Sequence, residues 1–205
     1  MEVAASITEM LFVLSGALLY PAILLLIALV VWVLVMLGQA VSEYSGRTRD
    51  LGLIREASAR ARHLRAEGDP GAAAAAFGTI PMNPMVRNFV ADLGAFLGDA
   101  RFPLETEKLL QDYELLIGKE LERLKILTRT APMLGLMGTL IPLGPALMGL
   151  SAGNIQALAS NLVVAFSTTV LGLLVGGIAY AVMLIRRHWY YQDFSDMEYI
   201  AGALE

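Results

Sequence analysis

The stretch "TAPMLGLMGTLIPLGPALMG" (Thr130–Gly149) decides what kind of protein this is. It has no charged residue and is apolar enough to sit in lipid, yet it holds three prolines and four glycines. In water such residues weaken a helix. In lipid the same residues persist where helices pack closely or line a cavity. One hydroxyl, Thr139, lies near its middle.

The surrounding chain agrees with a membrane setting. It has 205 residues, 57% hydrophobic and 17% charged, with mean hydropathy +0.62. That balance is too apolar for an ordinary soluble domain. The formal net charge of -4 gives no sign of a nucleic-acid partner, and zero cysteines exclude disulfides and thiolate sites. No Asp, Glu, Lys, Arg or His occurs from Met10 to Ser42, nor over the 56 residues from Thr130 to Ile185. A spanning helix needs about 20 apolar residues. The first gap therefore predicts one span and the second predicts two, hinged at "SAGNIQ".

The expected fold class is an all-α integral membrane protein. It has three transmembrane helices and a helical cytoplasmic insertion, with long second and third helices extending into the cytoplasm. The segments are a short extracytoplasmic N-terminus (1–10), the first span (11–41) and the insertion (42–128). The second span (129–150), an outer hinge (151–155), the third span (156–186) and a cytoplasmic C-terminal helix (187–205) follow. Glu2 and Glu9 precede the first span without a basic residue, so it reads as a retained anchor rather than a cleaved signal. Thirteen of the fifteen Lys and Arg lie between Arg47 and Arg129, and the other two are Arg186 and Arg187. The positive-inside rule puts the insertion and the C-terminus in the cytoplasm and the N-terminus outside.

Within the insertion, Ser42–Ala66 reads as an arginine-rich helix and "GDPGAAAAAFG" as a turn followed by helix formers. In "NPMVRNFVADLGAFLG" Met85, Phe89, Leu93 and Phe96 share one helical face. The segment beginning "PLETEKLL" has no breaker before the second span, so one helix should run through both. Nothing alternates with period two, and no sheet is expected.

Two stripes of small residues mark the second and third spans. Gly135, Thr139, Pro142, Ala146 and Gly149 recur at spacings of 4, 3, 4 and 3. Asn161, Ala165, Thr169, Gly172, Gly176 and Ala179 do the same, and Gly172 and Gly176 form a GxxxG pair. One reading packs the stripes together within one subunit, each threonine bonding its own backbone four residues back. The other has both stripes line a pocket or pore in an oligomer.

"APMLGLMGTL" followed by "LVVAFSTTVLGLLVGGIAY" resembles the paired signature of the MotA/TolQ/ExbB proton-channel family. With the leading "LERLKILTRT" the resemblance covers about one third of the chain, and the three-span topology is closest to the ExbB/TolQ branch. It implies a homopentamer around two copies of a single-span ExbD-, TolR- or MotB-like partner that carries an intramembrane aspartate. It implies that ion flow, driven by proton motive force, is converted to mechanical work. Thr139, Thr168 and Thr169 would line the ion path. Gly135, Pro142, Ala146, Gly149, Asn161, Ala165, Gly172 and Gly176 would form the packing or partner-contact face. Val164 stands where that branch often has glutamate, and its later proline is absent from Leu174–Tyr180.

The charge map points the same way. Intramembrane ionisable residues mark proton relays, and no expected span here has one, so a second chain would have to bring the acid. The expected function is a channel or stator subunit of an ion-driven motor in a cytoplasmic (inner) membrane. The alternative is a non-conducting scaffold that holds another membrane protein by small-residue packing. No enzyme activity, cofactor or metal is expected, since His63 and His188 lack neighbouring ligands and no catalytic constellation is present. Membrane lipid is an expected partner and nucleic acid is not. The arginines Arg47, Arg49, Arg55, Arg60, Arg62 and Arg65 read as topology signal plus a solvated helix face, or as a lipid- or partner-binding patch. Asn154 and Asn161 flank the outer hinge and read as caps for the third span, or as residues lining an outer mouth.

Overall fold

The computed structural model describes residues 2–204, with side chains from Ser6. Met1, Glu205 and the Glu2 side chain, which belong to the expected terminal segments, lie outside the described residues. The described residues form α1 (Glu2–Ala17), α2 (Leu19–Gly46), α3 (Leu51–Ala66), α4 (Pro70–Ala75), α5 (Pro84–Gly94), α6 (Phe102–Ser151) and α7 (Ile155–Leu204). No strand occurs among them. Three stretches are long and apolar enough to cross a membrane: Ser6–Gly46, Phe102–Ser151 and Ile155–Leu204. The all-helical class and the three membrane helices expected from sequence are present. The second and third are unbroken helices of 50 residues each.

Local chemistry sets the element ends. α1 and α2 part at Leu18, so Pro21 falls in the first turn of α2, where its missing N–H costs little. Asp50 caps α3 by accepting from the backbone of Gly52 and Leu53, and Asp69 caps α4 by accepting from Ala72 N at 2.9 Å. α6 ends at Ser151, and Gly153 beyond it has a φ of 75° that only glycine adopts freely. There Asn154 N donates to Gly149 O at 2.8 Å and Gly153 N to Leu150 O at 3.0 Å, a Schellman ending. Asn154 then accepts from Ala157 N at 3.0 Å and caps α7.

The chain forms two compact units. The first comprises residues through Gln39 and Arg123–Met183. Its α2 buries Ala22, Leu26, Leu29, Val33 and Met36, at spacings of 4, 3, 4 and 3. Its part of α7 buries Ala165, Thr168, Gly172, Val175, Ala179 and Val182, at spacings of 3, 4, 3, 4 and 3. These near-heptad seams are the pattern of helices packed side by side. Large apolar residues such as Leu24, Trp32, Leu140, Phe166 and Leu173 are exposed, as lipid-facing positions are.

The second unit comprises Ala40–Glu122 and the residues from Leu184 on. Its core joins Ile54, Ala61, Phe77, Phe89, Leu93, Phe102, Met197 and Ile200. On α5 the buried face runs through Val86, Phe89, Val90 and Leu93, while Met85 is only half-buried. Met85 and Phe96 still pack against this core, so the four residues expected on one face all meet it, and Val86 and Val90 widen that face. Tyr113 Oη donates to Asp92 Oδ2 at 2.8 Å and its ring meets Phe89 edge-on. Burial, then the bond to Asp92, raises the phenol's pKa, so it remains a donor.

The arginine cluster divides by position. Arg55 and Arg60 are exposed, as a solvated face requires. Arg47 instead donates to Asp193 from both terminal nitrogens, at 3.1 and 2.6 Å, and stacks over Trp189. Asn83 Nδ2 donates to the same carboxylate at 2.7 Å. Arg49 grips Asp196 at 2.8 and 2.9 Å, and Arg186 meets Glu43 at 3.1 Å. Arg62 donates to Ala203 O at 2.9 Å near the end of α7. These arginines fasten the residues around α3 to the last third of α7.

Candidate functional site

The small residues of α6 and α7 bring two backbones into contact. A Cβ placed on Gly172 would stand 2.7 Å from Ala131 O and 2.9 Å from Gly135 Cα. On Gly135 it would stand 3.1 Å from Thr168 O. On Gly176 it would stand 2.8 Å from the Pro132 ring. Between helices in lipid, such close approach supplies the dispersion contacts that hydrophobic burial supplies in water. Further along, Gly149 meets Ala157 beside the hairpin, where a Cβ would stand 3.1 Å from the Ala157 methyl.

Of the expected face, Gly135, Gly149, Gly172 and Gly176 meet the facing helix directly. Gly135, Pro142, Ala146, Ala165, Gly172 and Gly176 are buried, and Gly149 and Asn161 are half-buried. Asn161 Nδ2 donates to Ala157 O at 2.8 Å, within its own helix. The centre of the contact is one residue from the threonines. Gly138 is buried and Thr168 packs directly on it, so a Cβ there would come within 2.5 Å of Thr168 Cβ. Thr168 is 6% exposed, and its hydroxyl turns back to Val164 O and Ala165 O at 3.0 and 2.9 Å. The sequence reading missed Gly138. The signal was available, because Ala131, Gly135, Gly138 and Pro142 make an equally regular stripe.

Thr139 and Thr169 sit on the flank of this contact, half-buried. Their hydroxyl oxygens are 2.8 Å apart. Thr139 Oγ1 also reaches Gly135 O and Leu136 O, each at 3.0 Å, and Thr169 Oγ1 reaches Gly135 O at 3.2 Å. Each hydroxyl has one proton to donate and two lone pairs. One hydroxyl can therefore donate to the other while the second donates to the Gly135 carbonyl, leaving oxygen lone pairs unengaged. In lipid an isolated hydroxyl would be costly, but here each satisfies the other. The pair is a small polar spot at the edge of a closely packed seam, inside a stretch with no ionisable side chain from Thr130 to Ile185. Such a spot can accept from or donate to an acid, or to water, brought alongside it.

α6 keeps its course through Pro132, Pro142 and Pro145. Each proline withholds an N–H from the carbonyl four residues earlier, which frees Thr128 O, Gly138 O and Ile141 O. Gly176 lies against the first of these, at 3.5 Å from a Cβ position on the glycine. No group of His, Cys, Asp or Glu suited to a metal ion occurs among the described residues.

Residues 97–198 match the family model described as the MotA/TolQ/ExbB proton channel family. That region holds α6, most of α7 and both threonines. No curated protein and no solved structure matches the chain.

Proposed function

The chain belongs to the MotA/TolQ/ExbB proton channel family, and from that membership we propose that it is the channel or stator subunit of a proton-driven membrane motor. Five copies form a ring around two copies of a single-span partner whose intramembrane aspartate carries the proton. The ring lies in a cytoplasmic membrane, with residues 1–10 and the hinge 151–155 outside. The insertion 42–128 and residues 187–205 lie in the cytoplasm. The observation that carries the reading is the Thr139–Thr169 hydroxyl pair, half-exposed in a stretch with no acid or base of its own. The partner's aspartate passes along this flank, exchanging hydrogen bonds with the two hydroxyls as it gains and loses its proton. Gly135, Gly138, Thr168 and Gly172 hold the two helices at the distance that keeps the pair formed.

Valine replaces threonine with nearly the same shape but no hydroxyl. Thr139→Val and Thr169→Val should each cut ion-coupled work about 3- to 10-fold, the worth of one hydrogen bond of roughly 0.5–1.5 kcal/mol. The assembled complex should still form, which size-exclusion chromatography or native mass spectrometry would report. Serine at either position should restore coupling. Full coupling in both valine variants would remove the threonines from the ion path.

A further inference from the structure

A notch between α1 and α6 carries a second, separate reading. It encloses about 210 Å³ among Phe12, Ser15, Leu140, Ile141, Gly144 and Pro145. α1 touches α6 here through Phe12, whose ring would come 3.3 Å from a Cβ at Gly144. The missing side chain of Gly144 makes the room, and no atom approaches the Cβ position of Gly16 on the facing helix. The space is smaller than the roughly 300–1,000 Å³ pockets that take drug-sized ligands, so it suits part of a chain-like molecule.

Two of the residues that line this notch carry acceptors with capacity to spare. Pro145 has no N–H, so the Ile141 carbonyl lacks the donor it would have in a regular helix, and both residues line the notch. The Ser15 hydroxyl spends its proton on Phe12 O at 3.0 Å and is left with lone pairs. Both helices belong to stretches apolar enough to cross a membrane. In lipid, water does not reach such a carbonyl cheaply, and an unpaired one is costly. A hydrocarbon chain fills the space but leaves Ile141 O unsatisfied. A molecule with an apolar body and one hydroxyl satisfies both.

We propose that this notch binds a hydroxyl-bearing apolar molecule of the bilayer, with its chain against Phe12 and Leu140 and its hydroxyl donating to Ile141 O. The site is independent of the threonine pair and of the channel reading. It is tested on the full chain in phosphatidylethanolamine–phosphatidylglycerol nanodiscs with the photolabel 3-azioctanol, mapping adducts by mass spectrometry. Adducts should concentrate on residues 10–16 and 140–145, and octanol should compete about tenfold better than octane. Pro145→Ala returns an N–H to Ile141 O and should erase that preference while leaving the space open. Gly144→Leu fills the space and should remove the labelling. Equal competition by octane, or labelling spread evenly over the lipid-facing residues, would overturn the proposal. So would an alcohol preference unchanged in Pro145→Ala.

Discussion

Gly172→Ala is expected to weaken the α6–α7 pair by about 1–3 kcal/mol, the cost of overfilling a packed site. The added methyl would stand 2.7 Å from the Ala131 carbonyl and 2.9 Å from Gly135 Cα. Both are backbone atoms, so no side chain can turn aside, and the helices must separate. Separation also lengthens the 2.8 Å contact between Thr139 and Thr169. Gly177→Ala is the matched control, because a Cβ there meets nothing within 4 Å. That change should leave the pair unaltered or slightly firmer, since alanine is the better helix former. Unfolding by titrated SDS in mild detergent reads the difference. Equal effects of the two substitutions would mean that the close approach does not hold the helices together.

Asp193→Ala should be the most damaging single change in the second unit, at about 3–5 kcal/mol. Its carboxylate is 2% exposed and takes two bonds from Arg47 and one from Asn83. Removing it leaves the Arg47 guanidinium, with 12% of its side chain exposed, only the Trp189 carbonyl at 3.3 Å and the Glu43 carboxylate at 3.8 Å. Losing one partner of a buried ion pair costs far more than the pair is worth intact, because the remaining charge stays desolvated. Asp193→Asn should fall between, keeping one acceptor for Arg47 or Asn83. Asp112→Ala, which removes the exposed partner of Lys108, should have little effect. Hydrogen exchange would show where the damage goes, with protection lost first in residues 47–58 and 189–201.

These two expectations show what the sequence reveals and what it hides. The membrane helices are legible because lipid excludes charge, so the gaps at 10–42 and 130–185 declare them directly. The continuity of α6 is legible because no proline stands between Pro103 and the second span. The phase of the packing stripe is harder. Small residues occupy two neighbouring stripes on α6, through Thr139 and through Gly138, and only contact with Thr168 shows which lies at the centre. The arginines are harder still. A basic residue near a span end looks the same whether it sets topology or clamps a fold. Arg47 finds Asp193 across 146 residues of chain, a pairing that no local pattern signals.

The central claim is that this chain supplies a polar path and another chain supplies the acid. Proton flux into liposomes under an imposed pH gradient tests it most directly. The chain reconstituted alone should carry no flux, since no ionisable side chain lies between Met10 and Ser42 or between Thr130 and Ile185. Reconstituted with the proposed single-span partner it should conduct, and aspartate-to-asparagine in that partner should abolish the flux with the complex intact. Equal flux from the chain alone, or undiminished flux with the asparagine partner, would contradict it.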